Sequence, residues 1–137
     1  MAQRMAYAID DARWPLLIAR ATEYLSDETA VDASYRKLEE LLKREERFVV
    51  VFDMRGATST SARRKRFREW GEQHEAALTR LIVAAAVVAR SSIERGFVTA
   101  SLWVAAPVFP MRVFTDSADA ESWLLTDFAE RLKQQRA

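Results

Sequence analysis

Phe48-Val49-Val50-Val51-Phe52-Asp53-Met54-Arg55-Gly56 (FVVVFDMRG) is the stretch on which the fold turns. Its first five residues are all β-branched or aromatic, with no polar/apolar alternation, so neither face can look at water. Such a run reads as a parallel strand buried on both faces. Asp53 then ends it and starts a loop. Downstream, residues 82–89 (IVAAAVVA) form a second continuous apolar run of the same length class. The two runs are separated by a polar stretch with helical periodicity, which predicts a βαβ crossover and parallel neighbours.

Working outward, residues 5–9 predict a short strand, Asp10, Asp11 and Ala12 a turn, and residues 14–21 (WPLLIARA) a second strand that begins beside Pro15. Ser26 or Asp27 caps a helix that carries Val31, Tyr35, Leu38 and Leu42 at helical spacing and ends near Arg44. Another helix starts within residues 58–61 and presents Phe67, Trp70, His74, Ala77 and Leu81 on one face. After the second apolar run, Ser91 or Ser92 caps a helix with Ile93, Phe97, Ala100 and Val104 facing inward, and Pro107 and Pro110 stop it. Residues 111–115 (MRVFT) read as a last strand. Asp116 or Ser117 caps the final helix, with Ala120, Trp123, Leu124, Phe128 and Leu132 facing the core. The order is β-β-α-β-α-β-α-β-α. It predicts a single α/β domain over residues 1–137, with a mixed, mostly parallel sheet of about five strands, an antiparallel edge from the N-terminal hairpin, and four flanking helices.

Composition narrows the chemistry. The 137 residues are half hydrophobic, sufficient for a core without staples. There is no cysteine, which excludes disulfides and thiol chemistry and fits a reducing cytoplasm. The 21 Lys and Arg almost cancel the 20 Asp and Glu, so no whole-molecule field points to nucleic acid or an anionic membrane. No signal peptide and no transmembrane segment is read in the chain. Three glycines argue against a phosphate-cradling glycine loop.

With these elements in place, the chain resembles STAS domains, the sulfate-transporter and anti-sigma-factor-antagonist group, and within them the divergent bacterial STAS-like proteins of unknown role. FVVVFDMRG carries the likeness, with the Arg95-Gly96 pair after the second apolar run and residues 111–124 (MRVFTDSADAESWL). The resemblance implies the sheet order above and a regulatory, non-catalytic role in binding a protein partner. It departs in one place. Antagonists carry Asp-Ser-Ser/Thr-Gly at the start of the helix after the Asp-ended strand, and a partner kinase phosphorylates the Ser. Here the matching residues, Thr58, Ser59, Thr60 and Ser61, offer hydroxyls but no Asp and no Gly.

Candidate sites follow from these elements. Thr58, Ser59, Thr60 and Ser61, followed by Arg63 and Arg64, stand at a predicted helix start and at the carboxyl end of a central strand. That place suits an anion, an acidic partner or an added phosphate. The plainer reading is a helix cap and a solvated basic face. Asp53 is either a ligand or base, or the cap of its own loop. His74, the only histidine, has neither a nucleophile nor a second ligand paired with it in the sequence. Trp103 falls off its helix's apolar face, and with Val108 and Phe109 it marks an apolar partner surface, or else a helix buried on two sides. Three functions compete: a non-catalytic module that docks a protein partner, a second copy included; a binder of a small molecule or lipid in an apolar pocket suggested by the apolar residues 97–110 beside Ala84–Ala86; and a phosphorylation-switched regulator. No enzyme activity, cofactor, metal or nucleic-acid partner is expected.

Overall fold

The computed structural model describes residues 4–25, 27–56, 61–96 and 109–134. Five strands make one sheet in the order β1-β2-β3-β4-β5: β1 (Tyr7–Arg13), β2 (Leu16–Ala21), β3 (Phe48–Asp53), β4 (Ile82–Val88) and β5 (Met111–Phe114). β1 pairs antiparallel with β2, and every later pairing is parallel. The two apolar runs lie side by side, Val50 opposite Ala85 and Asp53 opposite Val88. This is the mixed, mostly parallel sheet that the sequence predicts.

Helix α1 (Glu28–Leu42) starts at Asp27, whose carboxylate accepts from the amides of Thr29 and Ala30 and meets the positive end of the helix. α2 (Ser61–Gln73) and α3 (Glu75–Leu81) follow β3. α4 is described over residues 92–96. α5 (Ser117–Asp127), capped by Asp116, and α6 (Ala129–Lys133) close the chain.

The strands' side chains divide by parity. Leu17, Ala19, Val50 and Ala85 pack under α1, Trp70 and the inner residues of α3. Ile18, Val49, Val51, Ala84 and Ala86 pack under Ala120 and Leu124 of α5 and Leu132 of α6. The central strands thus need apolar residues at every position, which is why their sequence shows no alternation. Ala84, Ala85 and Ala86 are fully buried. Their small side chains let the helix layers come close to the sheet from both sides. Buried Ser34 ties α1 to the edge strand: its Oγ accepts from the Tyr7 amide at 2.9 Å and donates to the Ala30 carbonyl at 3.1 Å.

Four expectations are corrected. The reversal between β1 and β2 lies at Trp14-Pro15, joined by a cis peptide bond, and not at residues 10–12. Residues 10–12 belong to β1, where the pairing register shifts between Asp10 and Arg13 and Asp10 Oδ1 accepts from the Ala12 amide. The polar pair marks a bulge, and Pro15, which cannot donate to a ladder, sits in the turn. The helix expected through Leu81 kinks at His74 (φ −111°, ψ 17°), although helical bonds run into and out of it, from His74 N to Trp70 O and from Leu78 N to His74 O. The last helix breaks likewise at Phe128, which meets Trp123 edge-on. Ile93, expected to face inward, is 82% exposed.

Candidate functional site

In a parallel sheet the loops that leave the carboxyl ends of the strands share one rim. Here that rim carries residues 54–56 after β3, residues 89–93 after β4, and Thr115 and Asp116 after β5. Asp53 shapes the first loop. Its Oδ1 accepts from the Arg55 amide at 3.1 Å and from Arg55 Nε at 3.0 Å, and its Oδ2 accepts from Arg55 Nη2 at 2.8 Å. This is an Asx turn closed by a bidentate guanidinium. The Arg55 guanidinium holds the Asp53 carboxyl below the usual carboxylate range, against the upward push of burial, and Arg20 adds to the lowering. Both oxygens of Asp53 are therefore occupied within the loop. Met54 still donates to the Val88 carbonyl at 3.0 Å. Gly56 then passes so close to the end of β2 that a Cβ would lie 2.7 Å from the Ala21 carbonyl oxygen. Backbone meets backbone there, and neither can yield cheaply.

Thr58, Ser59 and Thr60 lie outside the described residues, as do Trp103 and Val108. Ser61 opens α2 and is exposed. The basic run beyond it is turned largely toward α1. Arg63 donates to Glu28 at 3.2 Å, and Arg66 donates to Glu28 at 3.3 Å and to Asp32 at 2.5 Å. Lys65 and Arg68 pair along α2 with Glu69 and Glu72. Arg63 also approaches Tyr7, whose hydroxyl burial pushes up to about 12. Arg64 is exposed. Phe109 is half-buried and packs against the core beneath α1.

His74 Nε2 lies 3.1 Å from Glu39 Oε1, which also accepts from Trp70 Nε1 at 3.2 Å. Trp70 in turn stacks on Tyr35 with ring centroids 5.2 Å apart. Between α1 and α2, Tyr35, Glu39 and Trp70 line an open polar groove of about 270 Å³, completed by Asp32, Arg36, Arg66, Glu69 and Gln73. Among the described residues, no group of three or more His, Asp or Glu side chains gathers as metal ligands.

Sequence reading missed two features. One is the match between Glu28, Asp32 and Glu39 on α1 and Arg63, Arg66 and Trp70 on α2, with His74 just past its end. Both sets recur at helical spacing, and that complementary striping was the available signal. The other is Ile93. Ala89, whose amide donates to the Phe114 carbonyl, ends the ladder. α4 starts past it, with Ser91 Oγ accepting from the Glu94 amide. That phase turns Ile93 away from the sheet.

No family model matches the chain, and no curated protein does. Among solved structures it is similar to an uncharacterized protein of the DUF3478 family with a SpoIIAA-like fold from Shewanella loihica PV-4. The two are 14% identical, the match covers 90% of this chain and 98% of the other, and the TM-score is 0.52. At that identity the likeness concerns architecture. Strand order, crossovers and likeness agree, and the chain is built on the SpoIIAA-like, or STAS, fold.

Proposed function

We propose that this chain is a non-catalytic STAS-like module that docks a protein partner at the carboxyl rim of its sheet. We place it in the cytoplasm, which its lack of cysteine fits. The observation that carries the docking site is Ile93. It is a large aliphatic side chain, 82% exposed beyond the carboxyl end of β4, the strand paired with β3, whose end Asp53, Arg55 and Gly56 hold in one shape. An apolar anchor beside a preorganised loop suits association, because little ordering entropy remains to be lost when the partner arrives. The titratable groups nearest to a catalytic reading are engaged in structure: Asp53 by Arg55, and His74 by Glu39 and Trp70.

The test is site-specific photo-crosslinking of the full chain in cells, with p-benzoylphenylalanine in place of Ile93 and, as a control, of Leu125. Leu125 is 40% exposed on α5. A discrete protein adduct from position 93 and none from position 125 is expected. A second copy of the chain in that adduct would make the partner the protein itself. Ile93→Asp should melt like the parent and fail to bind the identified partner in size-exclusion light scattering. Equal adducts at both positions, or none from position 93, would overturn the proposal.

A further inference from the structure

α2 is attached unevenly. Of its thirteen residues, Trp70 is the buried one. It stacks on Tyr35, donates to Glu39 and touches the His74 ring at 4.8 Å. Nearer the amino end the inward side chains are Arg63, Arg66 and Phe67. The two arginines close on Glu28 and Asp32 of α1, whose side chains are 69% and 47% exposed; Arg66 is 36% exposed and lies over the Tyr35 ring at 5.3 Å, and Arg63 is 13% exposed. Phe67 touches Phe52 edge-on at 5.5 Å. Ion pairs that open to water hold weakly and weaken further with salt, whereas a buried, stacked indole is insensitive to it. Arg36 lines the groove from α1, and the pairs Lys65–Glu69 and Arg68–Glu72 lie within α2 and travel with it. Immediately after the anchor comes Gly71. A Cβ there would meet nothing within 4 Å, so packing does not require glycine, and its effect is to weaken the helix at that point.

We propose that residues 61–69 form a flap, latched to α1 by the Glu28–Arg63–Arg66–Asp32 ion pairs and hinged at Trp70-Gly71. Its opening uncovers the rings of Phe52 and Tyr35. The flap belongs to the free chain and does not depend on the docking role of Ile93.

The chain has no cysteine, so introduced pairs report alone. Ala62→Cys with Glu40→Cys spans flap and α1; Ala76→Cys with Glu40→Cys spans the segment beyond the hinge. All three positions are exposed. Spin labels and double electron–electron resonance give the distance distributions. Between about 0.1 M and about 1 M salt the screening length falls from about 10 Å to about 3 Å. Over that range the 62–40 pair should gain a longer-distance population several-fold, and the 76–40 pair should keep one distance. Asp32→Asn, with or without Glu28→Gln, should produce the longer population already at low salt. Both substitutions fall on carboxylates outside the buried face of α1, Glu28 exposed and Asp32 half-exposed. The proposal is overturned if the 62–40 distribution ignores both salt and substitution, or if the two pairs broaden together.

Discussion

At the scale of single residues, Asp53 shows how one side chain converts a strand end into a defined loop. A carboxylate after an apolar run is a readable loop cap, and the sequence supports that role. Its partner was not readable. Arg55 turns back onto both oxygens while the Met54 amide stays paired to the Val88 carbonyl. Gly56 is likewise explained by the Ala21 carbonyl, a neighbour 35 residues away in sequence that only the β2–β3 pairing brings near. Because Arg55 depresses the folded-state pKa of Asp53 below its ordinary value, the pair stabilises the fold above the ordinary carboxylate range. That stability is lost as pH falls through the depressed value. Asp53→Asn should therefore cost about 0.5–1 kcal/mol near neutral pH, since Arg55 is partly solvated. The difference from the parent should vanish at acid pH. Urea titrations of both proteins across pH check this, and a pH-independent gap would contradict it.

At the scale of elements, periodicity placed each described helix and strand but not the breaks within them. His74 at the kink lies 3.1 Å from Glu39 of α1, and Phe128 at the break meets Trp123 edge-on. Glu39 is 35 residues from His74, too far to show in a helical pattern, and the Trp123–Phe128 pair fits a continuous helix as well as a broken one. The hairpin went wrong for a related reason. Asp-Asp-Ala reads as a turn, but the same carboxylate-to-amide bond also serves a bulge inside a strand. Gly71 gives this scale its prediction. Gly71→Ala meets no neighbour within 4 Å and removes a helix-weakening residue, so it should stabilise the protein by about 0.5–1 kcal/mol in urea unfolding. Unchanged or lowered stability would show that the glycine serves a conformation that α2 needs.

At the scale of the whole molecule, two cores share one sheet, and the central strands serve both. Leu124 of α5, fully buried, packs on the face formed by Val49, Val51, Ala84 and Ala86. Those small residues cannot swell to fill a void. Leu124→Ala should thus cost about 2–5 kcal/mol by urea denaturation, whereas Ile93→Asp, already in water, should cost almost nothing. Parallel pairing of FVVVF with IVAAAVVA and the antiparallel first edge were determined by the sequence alone. A strand without alternation has to be covered twice, and a strand–helix–strand order restricts the connection to one hand. Which charged stripe of α1 meets α2, where the long helices bend, and that Ile93 turns outward were decided by the tertiary structure. Each depends on the rotation of one element against another, a quantity set by packing across the sheet and carried by no local pattern of residues.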